Sequence, residues 1–110
     1  MDAECAALIS DEEFEAEVLQ HPGTVLVDFY TPHCQPCKQI APVVERLCTE
    51  RRSDLKVLKM DAAENPTTAA RHGVSVVPTF LLFHHGKKVG QIAGAHSQAK
   101  LEKWIATSVG

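Results

Sequence analysis

Thr24-Val25-Leu26-Val27-Asp28-Phe29-Tyr30, followed after Thr31-Pro32-His33 by Cys34-Gln35-Pro36-Cys37, decides the fold. The first stretch is dense in apolar and β-branched side chains without alternation, which predicts a strand buried on both faces of a parallel or mixed sheet. The second opens a helical pattern in which Ile40, Val43, Val44, Leu47 and Cys48 recur on one face, with Pro42 expected to kink it. Two thiols two residues apart at a helix N-terminus suit disulfide exchange, because the partial positive charge there favours a thiolate. Asp28 interrupts the buried strand. A carboxylate in that position is costly unless it is functional or satisfied by a structural lysine.

Working outward, Ile9-Ser10-Asp11-Glu12-Glu13-Phe14 carries a capping box (Ser10, Glu13) and a hydrophobic staple (Ile9, Phe14). A helix is predicted from there to about Gln20, with Phe14, Val18 and Leu19 inward, stopped by His21-Pro22-Gly23. Leu55 to Asp61 reads as a second internal strand. Asn65-Pro66 offers an N-cap and a first-turn proline for a short helix ending at His72-Gly73. Phe80 to Phe83 and Lys88 to Ile92, joined through His85-Gly86-Lys87, must pair antiparallel. Gly90 and Gly94 permit a bulge or a close backbone approach. Ser97 caps a last helix with Leu101, Trp104, Ile105 and Val109 on one apolar face. No linker or repeat interrupts the chain, so a single domain spanning residues 1–110 is expected.

Composition narrows the function. Hydrophobic residues make up 45% and charged residues 23% of the 110 residues, an ordinary globular balance. The N-terminus lacks a basic segment followed by a long apolar run, and no window reaches membrane-spanning length, so a cytoplasmic protein is expected. Net charge is -3, and Asp2, Glu4, Asp11, Glu12, Glu13, Glu15 and Glu17 crowd the start, with no lysine or arginine before Lys38. That distribution disfavours nucleic acid and reads as a solvated helix face, with docking to a basic partner as the alternative. Of the four cysteines, Cys5 and Cys48 stand alone, which leaves a closed zinc site without its second ligand pair. Cys48, on the apolar stripe, reads as an inert small hydrophobe. Cys5, near the start of the first strand, is left open, including for an intermolecular bond under oxidation. No metal or cofactor is expected.

Strands alternating with helices, then a hairpin and a closing helix, predict an α/β protein with a helix-covered mixed sheet. Asp28-Phe29-Tyr30, Cys34-Gln35-Pro36-Cys37-Lys38, Ile40-Ala41-Pro42, Asn65-Pro66, Val77-Pro78-Thr79, Gly86 and Gly94 follow one another as in the thioredoxin family, which the chain resembles from about Ile9 onward. The resemblance implies the thioredoxin fold: a central mixed sheet of four or five strands flanked by helices on both faces. It implies reduction of protein disulfides, with recycling by an NADPH-dependent thioredoxin reductase. Disulfide-containing client proteins are the expected partners, the chain acting as a monomer without nucleic acid or membrane. Pro78 matches the family's proline that follows a cis peptide bond and lies against the active disulfide. From the residues alone, a proline before a strand does no more than limit pairing. His33 and Tyr30 stand where the family usually has tryptophan, and Gln35 where it usually has glycine.

Within that frame, Cys34 is expected to attack a client disulfide and Cys37 to resolve the mixed disulfide. Asp28 is the candidate proton acceptor for Cys37. By resemblance Lys59 modulates Asp28, a purely structural ion pair being the alternative. Pro36 limits freedom between the sulfurs and leans toward the reducing end of the family. Gln35 either donates hydrogen bonds or only stiffens the loop. His33, when protonated, would stabilise the thiolate and tune the potential; otherwise it is an exposed ring. The other histidines are given no role. The competing readings are a disulfide isomerase or oxidase, and a thioredoxin-fold interaction module.

Overall fold

In the computed structural model, which describes residues 4–110, the chain runs β1 (Ala7–Leu8), β2 (Thr24–Tyr30), α1 (Gln35–Glu50), β3 (Lys56–Asp61), α2 (Pro66–Arg71), β4 (Thr79–His84), β5 (Lys87–Ala93) and α3 (Gln98–Val109). The acidic residue Asp2 lies outside the described residues. Five strands form one mixed sheet in the order β1-β3-β2-β4-β5. The central strand β2 pairs in parallel with β3 and antiparallel with β4. Val25 through Phe29 are all buried, as expected of a strand covered on both faces.

Alternation along β2 divides the core into two layers. Leu26 packs on one face with Ile40, Val44 and Leu47 of α1 and Leu101 and Ile105 of α3. Val25, Val27 and Phe29 pack on the other with Phe14, Val18 and Ala69 of α2. Helices therefore cover both faces of the sheet. Asp28 shares the parity of Leu26 and so faces the α1 side.

Between β1 and β2 the predicted helix is instead a 3-10 turn, Asp11–Glu13, followed by a π turn, Glu15–Leu19. Phe14 and Val18, four residues apart, remain inward, while Leu19 is exposed. Leu19, beside Val18 in the π turn, falls off the buried face. Ser10 N–H donates to Glu13 Oε1 at 2.9 Å, as the capping box requires.

The N-terminus of α2 differs from the sequence expectation. Asn65 does not cap with its own side chain. Asp11 reaches across instead, its carboxylate accepting from Thr68 N–H at 2.9 Å and Thr67 N–H at 3.2 Å. Asn65 Oδ1 in turn accepts from Asp11 N–H at 2.7 Å. Burial pushes the Asp11 carboxyl up, but its threonine donors outweigh this and leave it below the usual carboxylate range. Glu4 and Glu17 also have partners, Lys59 and Lys56, so the acidic N-terminal region is not merely a solvated helix face.

In the hairpin, Leu82 faces Gly90 and Phe83 faces Lys88, leaving Val89 as the extra residue of a bulge. Gly90 also lies under α3: a Cβ there would come to 3.0 Å from the Trp104 ring and 2.9 Å from Ser108 Oγ. Both devices allowed by the sequence are thus used at one place. Helix α1 continues through Pro42. In α3, Leu101 and Ile105 are buried and Trp104 packs partly, while Val109, the final helical residue, is exposed.

Candidate active site

Cys34 is the N-cap of α1, in an extended conformation that aims its side chain back at the first turn. Cys37 N–H donates to Cys34 Sγ at 3.2 Å. The two residues form a disulfide with a Cα separation of 5.2 Å. Pro36 lies in the first turn, where its missing N–H costs nothing. Cys34 is half-buried and Cys37 is 7% exposed, so the first sulfur is the one an incoming disulfide can reach. His33, Gln35 and Pro36 are exposed around it.

The segment before β4 closes the other side. The Val77–Pro78 peptide bond is cis, and Pro78 is buried. Val77 carbonyl oxygen lies 3.7 Å from Cys34 Sγ. In the disulfide that sulfur carries no proton, so the contact becomes a hydrogen bond only with the reduced thiol. Gly94 fixes this segment from behind: its N–H donates to Pro78 carbonyl at 2.8 Å, with φ of 107°, a region in which a side chain is strained.

Asp28 lies on the α1 side of β2, 5% exposed, with Oδ1 buried and without a hydrogen-bond partner. Burial raises its pKa to about 7, against the pull of the Lys59 charge. Lys59 stands opposite Asp28 in the β2–β3 register. Its ammonium nevertheless donates to Glu4 Oε1 at 2.7 Å, and among the described residues no Asp28–Lys59 salt bridge forms. The alternative of a carboxylate satisfied by a structural lysine does not hold here. Asp28, Cys37, Lys38, Ala41, Tyr30 and Lys59 line one cavity of about 210 Å³, so the buried carboxyl and Cys37 share a wall.

A thioredoxin family model matches residues 6–107. The chain belongs to the thioredoxin family. A thioredoxin of Mycobacterium tuberculosis is 44% identical over 110 residues, 98% of this chain and 95% of the relative. A thioredoxin of Rickettsia bellii is 36% identical over 94% of this chain and 99% of its own length, and one of Porphyra purpurea is 38% identical over 88% and 91%. Membership and the Cys34–Cys37 pair together make the chain a thiol–disulfide oxidoreductase with a redox-active disulfide centre. Among the described residues no helix is long and apolar enough to cross a membrane.

The thioredoxin site also contains what the sequence did not disclose. The Val77 carbonyl, the Gly94 bond to Pro78 and the Glu4–Lys59 pair are contacts between distant segments without a local signal. Cys48 is not an inert small hydrophobe: it forms a disulfide with Cys5 across a sequence separation of 43. The one available hint was that four cysteines leave two over after the active pair.

Proposed function

We propose that the chain reduces protein disulfides, with Cys34 as the attacking thiolate, Cys37 as the resolving thiol and Asp28 as the proton acceptor. The α1 N-terminus and the Cys37 N–H stabilise negative charge on Cys34. Cys34 sulfur attacks a client disulfide, forming a mixed disulfide and expelling one client thiolate. Asp28, titrating at about 7, takes the Cys37 proton through the shared cavity. Cys37 sulfur then attacks Cys34 sulfur, releasing the second client thiolate and leaving the Cys34–Cys37 disulfide. A thioredoxin reductase returns the two electrons from NADPH.

The buried, unpartnered Asp28 carboxyl beside the resolving cysteine carries this reading, because a group kept at that cost without an ion pair is poised for proton transfer. Lys59 modulates it through space. Pro78 frames the sulfurs, while Pro36 and Gln35 shape the exposed rim and His33 tunes it. Clients dock beside exposed Val76, where Thr31, Ala62, Val74 and Val77 line a shallow groove of about 290 Å³. The chain works as a monomer in the cytoplasm. NADPH-coupled insulin reduction with a thioredoxin reductase tests the reading: sustained turnover is expected, and Cys34→Ser should abolish it. A Cys34→Ser protein reducing insulin at the parent rate would refute the assignment.

A further inference from the structure

The two disulfides occupy opposite ends of one helix. Cys37 lies in the first turn of α1 and Cys48 in its last, eleven positions on, a rise of about 16 Å along the axis. At that distance neither pair exchanges directly with the other within one chain. Cys5 and Cys48 both line a groove of about 530 Å³ with Arg52, Asp54 and Lys56, but Cys48 is only 5% exposed whereas Cys5 is half-buried. A reductant can therefore reach Cys5 sulfur and expel Cys48 as the leaving thiolate.

Besides the disulfide, buried Ala6 and Ile9 and a few hydrogen bonds anchor the segment that Cys5 belongs to. Strand β1 is two residues long and pairs only with β3. Glu45, one turn before Cys48 on α1, accepts from Cys5 N–H at 2.6 Å and from Ala6 N–H at 3.1 Å. The residue before Cys5 is Glu4, whose carboxylate sits on Lys59, at the rim of the cavity that contains Asp28.

We propose that Cys5–Cys48 is a second thiol–disulfide couple, separate from Cys34–Cys37, whose oxidised form clamps the N-terminal segment onto α1 and holds Glu4 on Lys59. Reduction proceeds by exchange: the thiolate of a glutathione-class thiol bonds to Cys5 sulfur, and the Cys5–Cys48 bond breaks with its electron pair leaving on Cys48, which takes up a proton. A second thiol molecule attacks the sulfur of the first, forming the oxidised disulfide and freeing Cys5 as a thiolate that takes up a second proton. Two electrons and two protons enter the chain. In a reducing compartment a disulfide of this kind is a sensor rather than a permanent staple.

Reduction loosens Glu4 and leaves the Lys59 charge less compensated, with Glu45 of α1 still acting on it, in the Asp28 surroundings. The titratable groups lining the cavity with Asp28 are Lys59 from β3, Tyr30 from β2, and Cys37 and Lys38 from α1, and Glu45 of α1 acts on Lys59 from outside it. With Glu4 removed, the net field there becomes more positive, and the Asp28 proton leaves at lower pH. This consequence rests on Asp28 acting as the proton acceptor; the couple and its clamp do not.

The test begins with a Cys34→Ser/Cys37→Ser chain equilibrated across glutathione redox buffers, alkylated and weighed. The expected result is one two-electron step, from two alkylated cysteines to none. Peptide mapping of the native chain gives the same count if that variant does not fold. Two alkylatable thiols at every ratio, or glutathione adducts without the intramolecular bond, would overturn the couple. Amide exchange over residues 4–8 should quicken roughly tenfold or more on reduction, and unchanged exchange would overturn the clamp. Finally, the pH midpoint of mixed-disulfide resolution should fall in both Cys5→Ser and Glu4→Gln, and an unmoved midpoint in both would overturn the link to Lys59. Asp28→Asn is the control: if it leaves the pH profile intact, the proton-acceptor reading fails while the alkylation and exchange results stand.

Discussion

Asp28→Asn should make the protein more stable, and only above acidic pH. In the fold the carboxyl holds its proton to about pH 7, because it is buried and its Oδ1 has no donor. In the unfolded chain the same group ionises near 3.9. Below about pH 3 it is neutral in both states and exerts no pH-dependent effect. As pH rises from there, the unfolded chain loses the proton first, so the fold is progressively penalised until about pH 7, after which the penalty is constant. A gap of about three pH units at about 1.4 kcal/mol each amounts to about 4 kcal/mol at pH 8. That is a large share of the stability of a domain this size.

Asparagine has nearly the same shape and cannot ionise. The difference in unfolding free energy between Asp28→Asn and the parent should therefore be flat below about pH 3 and grow by about 4 kcal/mol toward pH 8. Guanidinium titrations of both proteins with their disulfides intact, at several pH values, measure this directly. A constant difference between the two across that range would show that Asp28 is not held protonated by burial, and the argument for its role would fall with it.

Two further substitutions test the framework around the site. Asp11→Ala removes the acceptor of Thr67 and Thr68 N–H, and thermal unfolding should show a loss of about 1 kcal/mol at neutral pH. Because Asp11 is held below the usual carboxylate range, that contribution should fade in the parent as pH drops through and below that range. Gly90→Ala drives a methyl group against Trp104 and Ser108, costing about 1–3 kcal/mol in denaturant unfolding, and unchanged stability would show that α3 shifts freely on the sheet.

What could be read from the sequence was what neighbouring residues enforce on one another. The apolar run of β2, the 3.6-residue stripe of α1, the His85-Gly86 turn and the Ser97 cap are local patterns, and each element formed where its pattern lies. Asp28 was conspicuous for the same reason, as a charge inside an apolar strand. The reading faltered where a distant segment takes over a local role. Asn65-Pro66 has the local form of a helix start, yet the cap comes from Asp11, more than fifty residues away. Leu19 was placed inward on the assumption of an α-helix through Gln20, and the tighter and wider turns that formed leave it outside.

The same distinction governs the chemistry. Lys59 looks like the natural partner of Asp28, since register places the two side by side on adjacent strands. The ammonium is taken instead by Glu4, which only the docking of β1 on β3 brings within reach. An exposed carboxylate is a far cheaper partner for that lysine than a buried one, because a charge-neutralised Asp28–Lys59 pair would require both groups to be desolvated. By drawing Lys59 outward, Glu4 leaves Asp28 buried without a counterion in hydrogen-bond contact, and it is this separation that keeps its proton affinity near neutrality. The acidity of the site is thus set jointly by β2, which buries the carboxyl, and by the N-terminal segment, which diverts the charge that would otherwise ionise it.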